Sequence, residues 1–326
     1  MAEWLYEAGI GEERAALVEE GEIVEAHIEL PDPLRLGTVA AGRLVSILVP
    51  GRRGIVATRA GEVLVEPLPA ALTEGQAVRV AVVREAVPEP GRPKLPRGKV
   101  TEEPEGPGPG LPVRLGLRPG DARPGPDRLE EAGWSEMLEE AASGEIGFPG
   151  GSLRMSLTPA MTLFDVDGAL SPAELAVAGA AAAAKAIRRF GIAGSIGIDL
   201  PTLPGRAERQ AAAAEVDRLL PQPFERTAVN GFGFLQIVRR RERPSLPEIL
   251  QSDPVGAAAR ALLRRAERTP GPGLRLLTAA PPVVDRIEAE QGWLATLERR
   301  IGAGVALRRD ARLAISAGHV HASPDP

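Results

Sequence analysis

The residues with the clearest capacity for chemistry are two aspartates, each at the end of a short apolar run. Asp165 lies near the end of the run AMTLFDV, and Asp199 near the end of the run SIGIDL. A strand, a crossover helix and a strand of this spacing normally form a right-handed unit with parallel strands. If the strands are direct neighbours, about 4.8 Å apart, both carboxylates lie at the edge where open α/β sheets place ligands.

Two carboxylates that lie this close favour a cation between them, because they otherwise repel each other. Oxygen ligands without histidine or cysteine nearby favour Mg²⁺ or Mn²⁺ over zinc. A divalent ion held in this way orients a phosphate and activates water, which is the chemistry of phosphodiester cleavage. The spacing alone leaves a second interpretation open, in which the aspartates only cap turns at the strand ends.

The segment between the two runs predicts the helix that must position them. Ser171 provides an N-cap, Pro172 occupies the first helical position, and Glu174 follows the cap by three residues. We expect an alanine-rich helix from there to about Phe190, ended by the glycines that follow.

Composition limits the class of protein. The 326 residues allow two or more domains, and the net charge of −5 leaves room only for a local basic groove. The absence of cysteine excludes disulfides and thiolate metal sites. No uncharged apolar stretch reaches the roughly 18 residues of a membrane span, and no signal sequence follows Met1. We therefore expect a cytoplasmic protein with no membrane partner.

The pattern along the chain predicts an α/β protein with α+β parts. Alternating strands suggest an N-terminal hairpin, short strands with tight turns suggest a small β-barrel, and a proline- and glycine-rich stretch suggests a linker. The predicted segments are a hairpin at 1–36, a barrel at 37–87, a linker at 88–127, a strand–helix–strand core at 128–250, a small α+β unit at 251–320 and a tail at 321–326.

Further elements are predicted around the core and in the α+β unit. Helices are expected at 129–142, 206–220, 253–268 and 282–300, and strands at 153–156, 224–228, 232–239, 274–279, 305–308 and 313–317. His319 and His321 fall in the predicted terminal tail, where such a pair is weak evidence for a metal.

Three stretches resemble a known family when read in order. They are EIGFPGGSLRMSLTPAMTLFDVDG, GIAGSIGIDLPTL and FERTAVNGFGFLQIVRRRERPSL. This part of the chain, from about 144 to 250, resembles the catalytic half of the ribonuclease E/G family of bacterial magnesium-dependent endoribonucleases. The hairpin and barrel are similar to the family's ribonuclease H-like strand and inserted S1 (OB-like) domain, and the last unit to its small domain.

The resemblance implies roles for three aspartates. Asp165 and Asp199 correspond to the family's two magnesium ligands. Asp167 stands where the family has an asparagine that positions the scissile phosphate. An ionised carboxylate can bind a metal, but it cannot donate a hydrogen bond to a phosphate oxygen.

Other family features are missing here. Residues 250–253 (LQSD) replace the family's Cys-Pro-x-Cys zinc link, so we expect no zinc and no zinc-linked homodimer. The segment of the 5′-monophosphate sensor is reduced to the linker and one helix. The predicted barrel also has no aromatic residue for stacking on bases, since none lies between Tyr6 and Trp134.

The expected function is that of a Mg²⁺-dependent endoribonuclease, with Mn²⁺ as the alternative ion, that cleaves single-stranded RNA in RNA processing or decay. Basic residues would hold the RNA by counterion release. Chain order suggests that the arginine run at 239–241 lies beside the acidic edge of the sheet. The expected RNA contacts are Arg239, Arg240, Arg241, Arg52, Arg53 and Lys94. Solvated surface is the alternative for all six. The alternative functions are an RNA-binding protein that has lost turnover and a scaffold without an RNA role.

Overall fold

The computed structural model describes residues 2–89, 93–117 and 127–323. The protein is a mixed α/β molecule with several sheets and one closed barrel. Parts of the predicted linker and tail lie outside the described residues. No helix within the described ranges has the length and apolar character needed to cross a membrane.

An antiparallel sheet of three strands begins the chain. Its order is β1 (Glu3–Ala8), β2 (Glu13–Glu19) and β3 (Glu22–Glu29). We predicted a hairpin here, and the structure adds β1, which pairs with β2 from Glu3 to Ala8. The three strands form a sheet of their own rather than extending the sheet that carries the aspartates.

A closed five-stranded barrel follows, as predicted. Its strands are β4 (Val39–Val49), β5 (Arg53–Thr58), β6 (Gly61–Val65), β7 (Ala77–Arg84) and β8 (Arg97–Val100), in the spatial order β4-β5-β6-β8-β7. The fifth strand lies inside 88–127, so the linker prediction is wrong for that part. Its four residues are flanked by proline and carry Gly98, where a Cβ would lie only 2.8 Å from Val63 Cγ1. Close packing on β6 therefore requires glycine at this position, although in the sequence a glycine near proline indicates a loop.

The aspartates belong to a six-stranded sheet. Its strands are β9 (Glu145–Phe148), β10 (Gly151–Leu157), β11 (Thr162–Gly168), β12 (Gly194–Asp199), β13 (Glu225–Arg226) and β14 (Phe234–Arg239), in the order β13-β14-β12-β11-β10-β9. The predicted parallel pairing is confirmed for β11 and β12. The other pairs are antiparallel, and β9 was not predicted.

Helices cover one face of this sheet and leave the other open. The helices of this region are α1 (Leu111–Arg114), α2 (Arg128–Glu131), α3 (Trp134–Ser143), α4 (Pro172–Arg189) and α5 (Arg206–Leu219). The covered face buries Phe164, Val166 and Ile198 together with the alanines of α4. Residues that alternate with them, such as Asp165, Asp167 and Arg154, are exposed.

The C-terminal unit combines helices with a small sheet. Its elements are α6 (Leu246–Ser252), α7 (Pro254–Arg268), β15 (Leu274–Ala279), α8 (Pro281–Ala289), α9 (Trp293–Ile301), β16 (Val305–Arg309) and β17 (His319–Ser323), with sheet order β16-β15-β17. The predicted helix 282–300 is two helices, because Gly292 adopts a φ of 82° before α9. The predicted strand 313–317 is wrong, since a 3₁₀ turn occupies 315–317. His319 and His321 lie in β17, paired with β15, rather than in a tail.

Buried ion pairs join the N-terminal sheet to α7. Glu12 is only 5% exposed, accepts a hydrogen bond from Arg260 Nε at 3.0 Å and pairs with Arg264. Arg14, also buried, bonds Glu7 at 3.0 Å and Asp127 at 2.7 Å. These contacts hold together segments as far apart as 252 residues in sequence.

Removing the charge of Glu12 should therefore destabilise the chain strongly. Glu12→Gln leaves the guanidinium groups of Arg260 and Arg264 buried without a counter-charge, and should lower the free energy of unfolding by about 3 kcal/mol. Glu215→Gln, which breaks the exposed pair with Arg218, should change it by about 0.5 kcal/mol. Urea unfolding of the full chain measures both. Equal losses would show that the Glu12 cluster does not hold the two units together.

Candidate active site

Asp165 and Asp199 lie directly opposite each other on neighbouring strands. The register of β11 and β12 pairs Thr162 with Ile196 and, three residues on, Asp165 with Asp199. Paired residues on adjacent strands place their side chains on the same side of a sheet, with the strands about 4.8 Å apart. Both aspartates are exposed, so the two carboxylates stand side by side on the open face.

Asp167 extends this group along β11. It lies two residues beyond Asp165, on the same face, and pairs with Ser152 of β10. Its side chain is exposed as well. The open face therefore carries three carboxylates within two neighbouring strands, and we call Asp165, Asp167 and Asp199 the acidic group.

The acidic group is not neutralised by neighbouring side chains. Arg154 pairs in register with Asp165, but its Nε bonds Glu145 on the other side at 3.1 Å. Within residues 2–89, 93–117 and 127–323, no hydrogen bond or ion pair engages the three carboxylates. Because like charges at this spacing repel, the arrangement is suited to a bound cation.

The donor set fits one hard divalent ion. Two carboxylates are a usual protein contribution to a Mg²⁺ site, in which water and substrate phosphates supply the other ligands. No cluster of three or more His, Cys, Asp or Glu in the described chain has the geometry to enclose a metal. The acidic group therefore fits an open site that shares its ion with a substrate, rather than a closed structural site.

The arginine run lies at the opposite end of the sheet from the acidic group, contrary to our prediction. Strand β14 is antiparallel to β12, so Phe234 pairs with Asp199 and Arg239 pairs with Gly194. Five residues of strand separate the two rows, which is roughly 17 Å. Chain order suggested proximity, but the direction of β14 reverses it.

Two of the three arginines are structural. Arg239 Nη1 donates to the carbonyl of Ile192 at 3.0 Å, and burial lowers the pKa of this guanidinium. Arg241 Nη2 donates to the carbonyl of Ala193 at 2.9 Å, while its Nη1 lies 3.1 Å from Glu248 Oε1. Arg240 is different, since its side chain is 75% exposed and pairs only with Glu242.

The predicted basic residues of the barrel form a cluster around one carboxylate. Arg53 Nε donates to Glu66 at 3.0 Å, and Arg52 and Arg97 lie 3.5 and 3.2 Å from the same carboxylate. The hydrogen bond from Arg53 and the charges of these arginines lower the pKa of Glu66. Three guanidinium groups share one carboxylate, which leaves an exposed excess of positive charge. The remaining residue, Lys94, pairs with Glu89.

The barrel is attached at the end of the sheet that carries the arginine run. The backbone amide of Glu85, just after β7, donates to the carbonyl of Glu242 at 2.8 Å. The structure therefore brings the acidic group together at one end of the sheet, and places the arginine run and the barrel attachment at the other end.

Sequence reasoning missed two groups near these sites. Arg97 was assigned to the linker, although it completes the cluster around Glu66. Phe232 and Phe234 were read only as the start of the strand predicted at 232–239, although Phe234 pairs with Asp199. The sequence NGFGF, two aromatic residues in a glycine-rich turn beside the second acidic strand, is the signal that could have identified them.

Comparison of the chain with models of protein families gave no match, and comparison with curated proteins gave none either.

The contrasting environments of Arg240 and Arg241 lead to a test of their roles. Arg241→Ala should lower the free energy of unfolding by about 2 kcal/mol, because it removes donors from the Ala193 carbonyl and the partner of the buried Glu248. Arg240→Ala should change it by no more than about 0.5 kcal/mol. Urea unfolding measures both, and the reverse order of the two effects would contradict a structural role for Arg241.

Proposed function

We propose that this protein is a divalent-metal-dependent endoribonuclease that cleaves single-stranded RNA on the open face of its six-stranded sheet. The observation that carries the proposal is the in-register pair of exposed, unpartnered carboxylates, Asp165 and Asp199. A site of this kind suits a substrate that brings its own negative oxygens to the ion, as a phosphodiester does.

The roles of the residues follow from their positions. Asp165 and Asp199 would hold Mg²⁺ or Mn²⁺, with no zinc. When bound, the ion supplies Lewis-acid stabilisation of the phosphate and a more acidic water. Asp167, two residues along β11, extends the negative charge of the site. The open face, which no helix of the described residues covers, leaves space for an extended strand of RNA.

The barrel supports a nucleic-acid substrate. Its spatial order of first, second, third, fifth and fourth strands is that of an OB-type barrel, which binds oligonucleotides on strands two and three and on the first and fourth loops. Arg53 lies on the second strand, Arg52 in the first loop and Lys94 in the fourth loop. We assign this barrel the electrostatic capture of RNA.

The resemblance of residues 144–250 to the ribonuclease E/G family points to the same reaction. In that comparison β11, α4 and β12 form the nuclease core, and the barrel takes the place of the S1 domain. The residues carried over from the family, Asp165 and Asp199, are the two that share a register position.

Cleavage of a labelled, unstructured RNA with and without Mg²⁺ tests the proposal. Asp165→Asn and Asp199→Asn should each reduce cleavage at least about 100-fold, because each removes a charged ligand of the ion. Glu145→Gln, an exposed acid in the same row that is paired with Arg154, should leave the rate unchanged. Cleavage that persists in both asparagine variants would refute the assignment.

A second candidate function is RNA binding without turnover, and Asp167 is the observation that favours it. An ionised carboxylate at this position adds negative charge beside the phosphate and offers no donor. The two candidate functions predict different behaviour in the presence of Mg²⁺. An endoribonuclease cleaves the RNA, whereas a binding protein retains it without cleavage.

Asp167→Asn should raise the cleavage rate several-fold over that of the natural chain, since an amide donates to a phosphate oxygen where a carboxylate repels it. Single-turnover cleavage measures the change, with Asp167→Ala as the control that removes the charge without adding a donor. If the alanine variant matches the asparagine variant, the charge alone is responsible.

A further inference from the structure

Bases of a bound RNA need a surface on which to stack, and the barrel does not supply one. No Phe, Trp or Tyr occurs between Tyr6 and Trp134, which includes every barrel strand. Sites for single-stranded nucleic acid usually combine positive charge with aromatic side chains that stack on successive bases. The aromatic part of the site must therefore lie elsewhere in this chain.

Phe232 has the exposure that such a role requires. Its side chain is 84% exposed, more than any other large hydrophobic residue in the described ranges. A single exposed apolar side chain is common and carries no meaning by itself. The conformation and attachment of the loop around Phe232 decide whether it is incidental.

The loop that carries Phe232 is held by a network of hydrogen bonds. Asn230 Oδ1 accepts from the amides of Phe232 at 2.9 Å and Phe234 at 3.0 Å. The amide of Asn230 also donates to the Phe234 carbonyl at 3.0 Å, and the amide of Gly233 donates to the Asn230 carbonyl at 3.2 Å. These bonds fix the backbone on both sides of Phe232 and limit the positions that its ring can occupy.

The same loop is attached to the strand of the acidic group. The amide of Leu200, the residue after Asp199, donates to the Gly233 carbonyl at 3.2 Å. Gly233 has a φ of 94°, and a Cβ there would lie 2.1 Å from the Leu200 carbonyl oxygen. Only glycine permits this contact. Phe232 therefore directly precedes the residue, Gly233, that is hydrogen-bonded to Leu200 at the end of β12.

A second aromatic residue, Phe234, stands in the same row of the sheet as Asp199. It pairs in register with Asp199 and lies on the open face, over Gly197. A Cβ on Gly197 would be 2.5 Å from Phe234 Cζ, so the glycine makes room for the ring. The neighbour of the acidic group across β12 is thus an aromatic ring, where the sequence had suggested arginines.

We propose that Phe232 is a stacking platform that holds a nucleobase of single-stranded RNA next to the phosphate bound at Asp165 and Asp199. The inference rests on the proposed function for the class of ligand. A nucleic acid fits because the acidic group suits a cation-bridged phosphate, and a flat exposed ring beside it suits the adjoining base. Stacking of this kind tolerates any base, so the platform positions the strand without selecting a sequence.

Binding of two matched oligonucleotides to the full chain tests the platform. One is a short single-stranded RNA, and the other has the same sugar–phosphate backbone without bases. Fluorescence anisotropy is measured with Ca²⁺ in place of Mg²⁺. Phe232→Ala should weaken binding of the base-bearing RNA about tenfold and leave binding of the abasic strand unchanged.

Three further variants separate stacking from general apolar contact. Phe232→Trp should bind the base-bearing RNA as tightly as the natural chain or more so, whereas Phe232→Leu should lose most of the affinity. Val238→Ala removes an exposed apolar side chain of β14, the strand that follows the loop, which is 48% exposed, and should have no effect. Full affinity in Phe232→Leu would contradict stacking.

The outcomes also separate this inference from the proposed function. Binding that depends on Phe232 in a chain that does not cleave RNA would support the platform and refute the nuclease. Cleavage and binding that are unchanged in Phe232→Ala, or an equal loss for the abasic strand, would refute the platform alone. A natural chain that binds neither oligonucleotide would refute both.

Discussion

The parallel pairing of β11 with β12 is the constraint on which the site depends. Their register is set by the buried face, where Phe164 and Ile198 pack under α4. A slip of one residue would turn Asp199 toward the core and bury a charge. The helix fits closely because Gly179 faces Val166, where a Cβ would lie 2.4 Å from Cγ1. Hydrophobic packing on one face thus places two carboxylates together on the other.

The arginine run supports the same register from the opposite end of β12. Arg239 and Arg241 bind the carbonyls of Ile192 and Ala193, which immediately precede the strand. Gly194, with a φ of 89°, leaves space for the Arg241 guanidinium. The side chains of Arg239 and Arg241 therefore satisfy the backbone at the entry of β12, whereas Arg240, paired with Glu242, is largely exposed at the surface.

Local signals in the sequence predicted the elements that are defined locally. The capping residues Ser171 and Glu174 marked the start of α4, and Glu174 does accept hydrogen bonds from the Ser171 amide and hydroxyl. The two acidic strands and most of the barrel were also predicted, because their apolar runs are bounded by turn residues.

What the sequence did not indicate depends on contacts between distant segments. The direction of β14 places Phe234, rather than Arg239, beside Asp199, and no local pattern specifies that direction. Strand β8 has only four residues directly after Pro96, and its pairing with β6 and β7 is what identifies it as a strand. For the same reason the platform at Phe232 becomes recognisable only when the loop is seen attached to Leu200.

Whether the in-register carboxylates share one divalent ion can be decided by anomalous diffraction from crystals soaked in MnCl₂. One anomalous peak should lie between the carboxylates of Asp165 and Asp199, within bonding distance of both, and it should be lost in crystals of Asp199→Asn. A map with no peak at this position, in crystals where Mn²⁺ is bound elsewhere, would show that the two carboxylates do not share an ion.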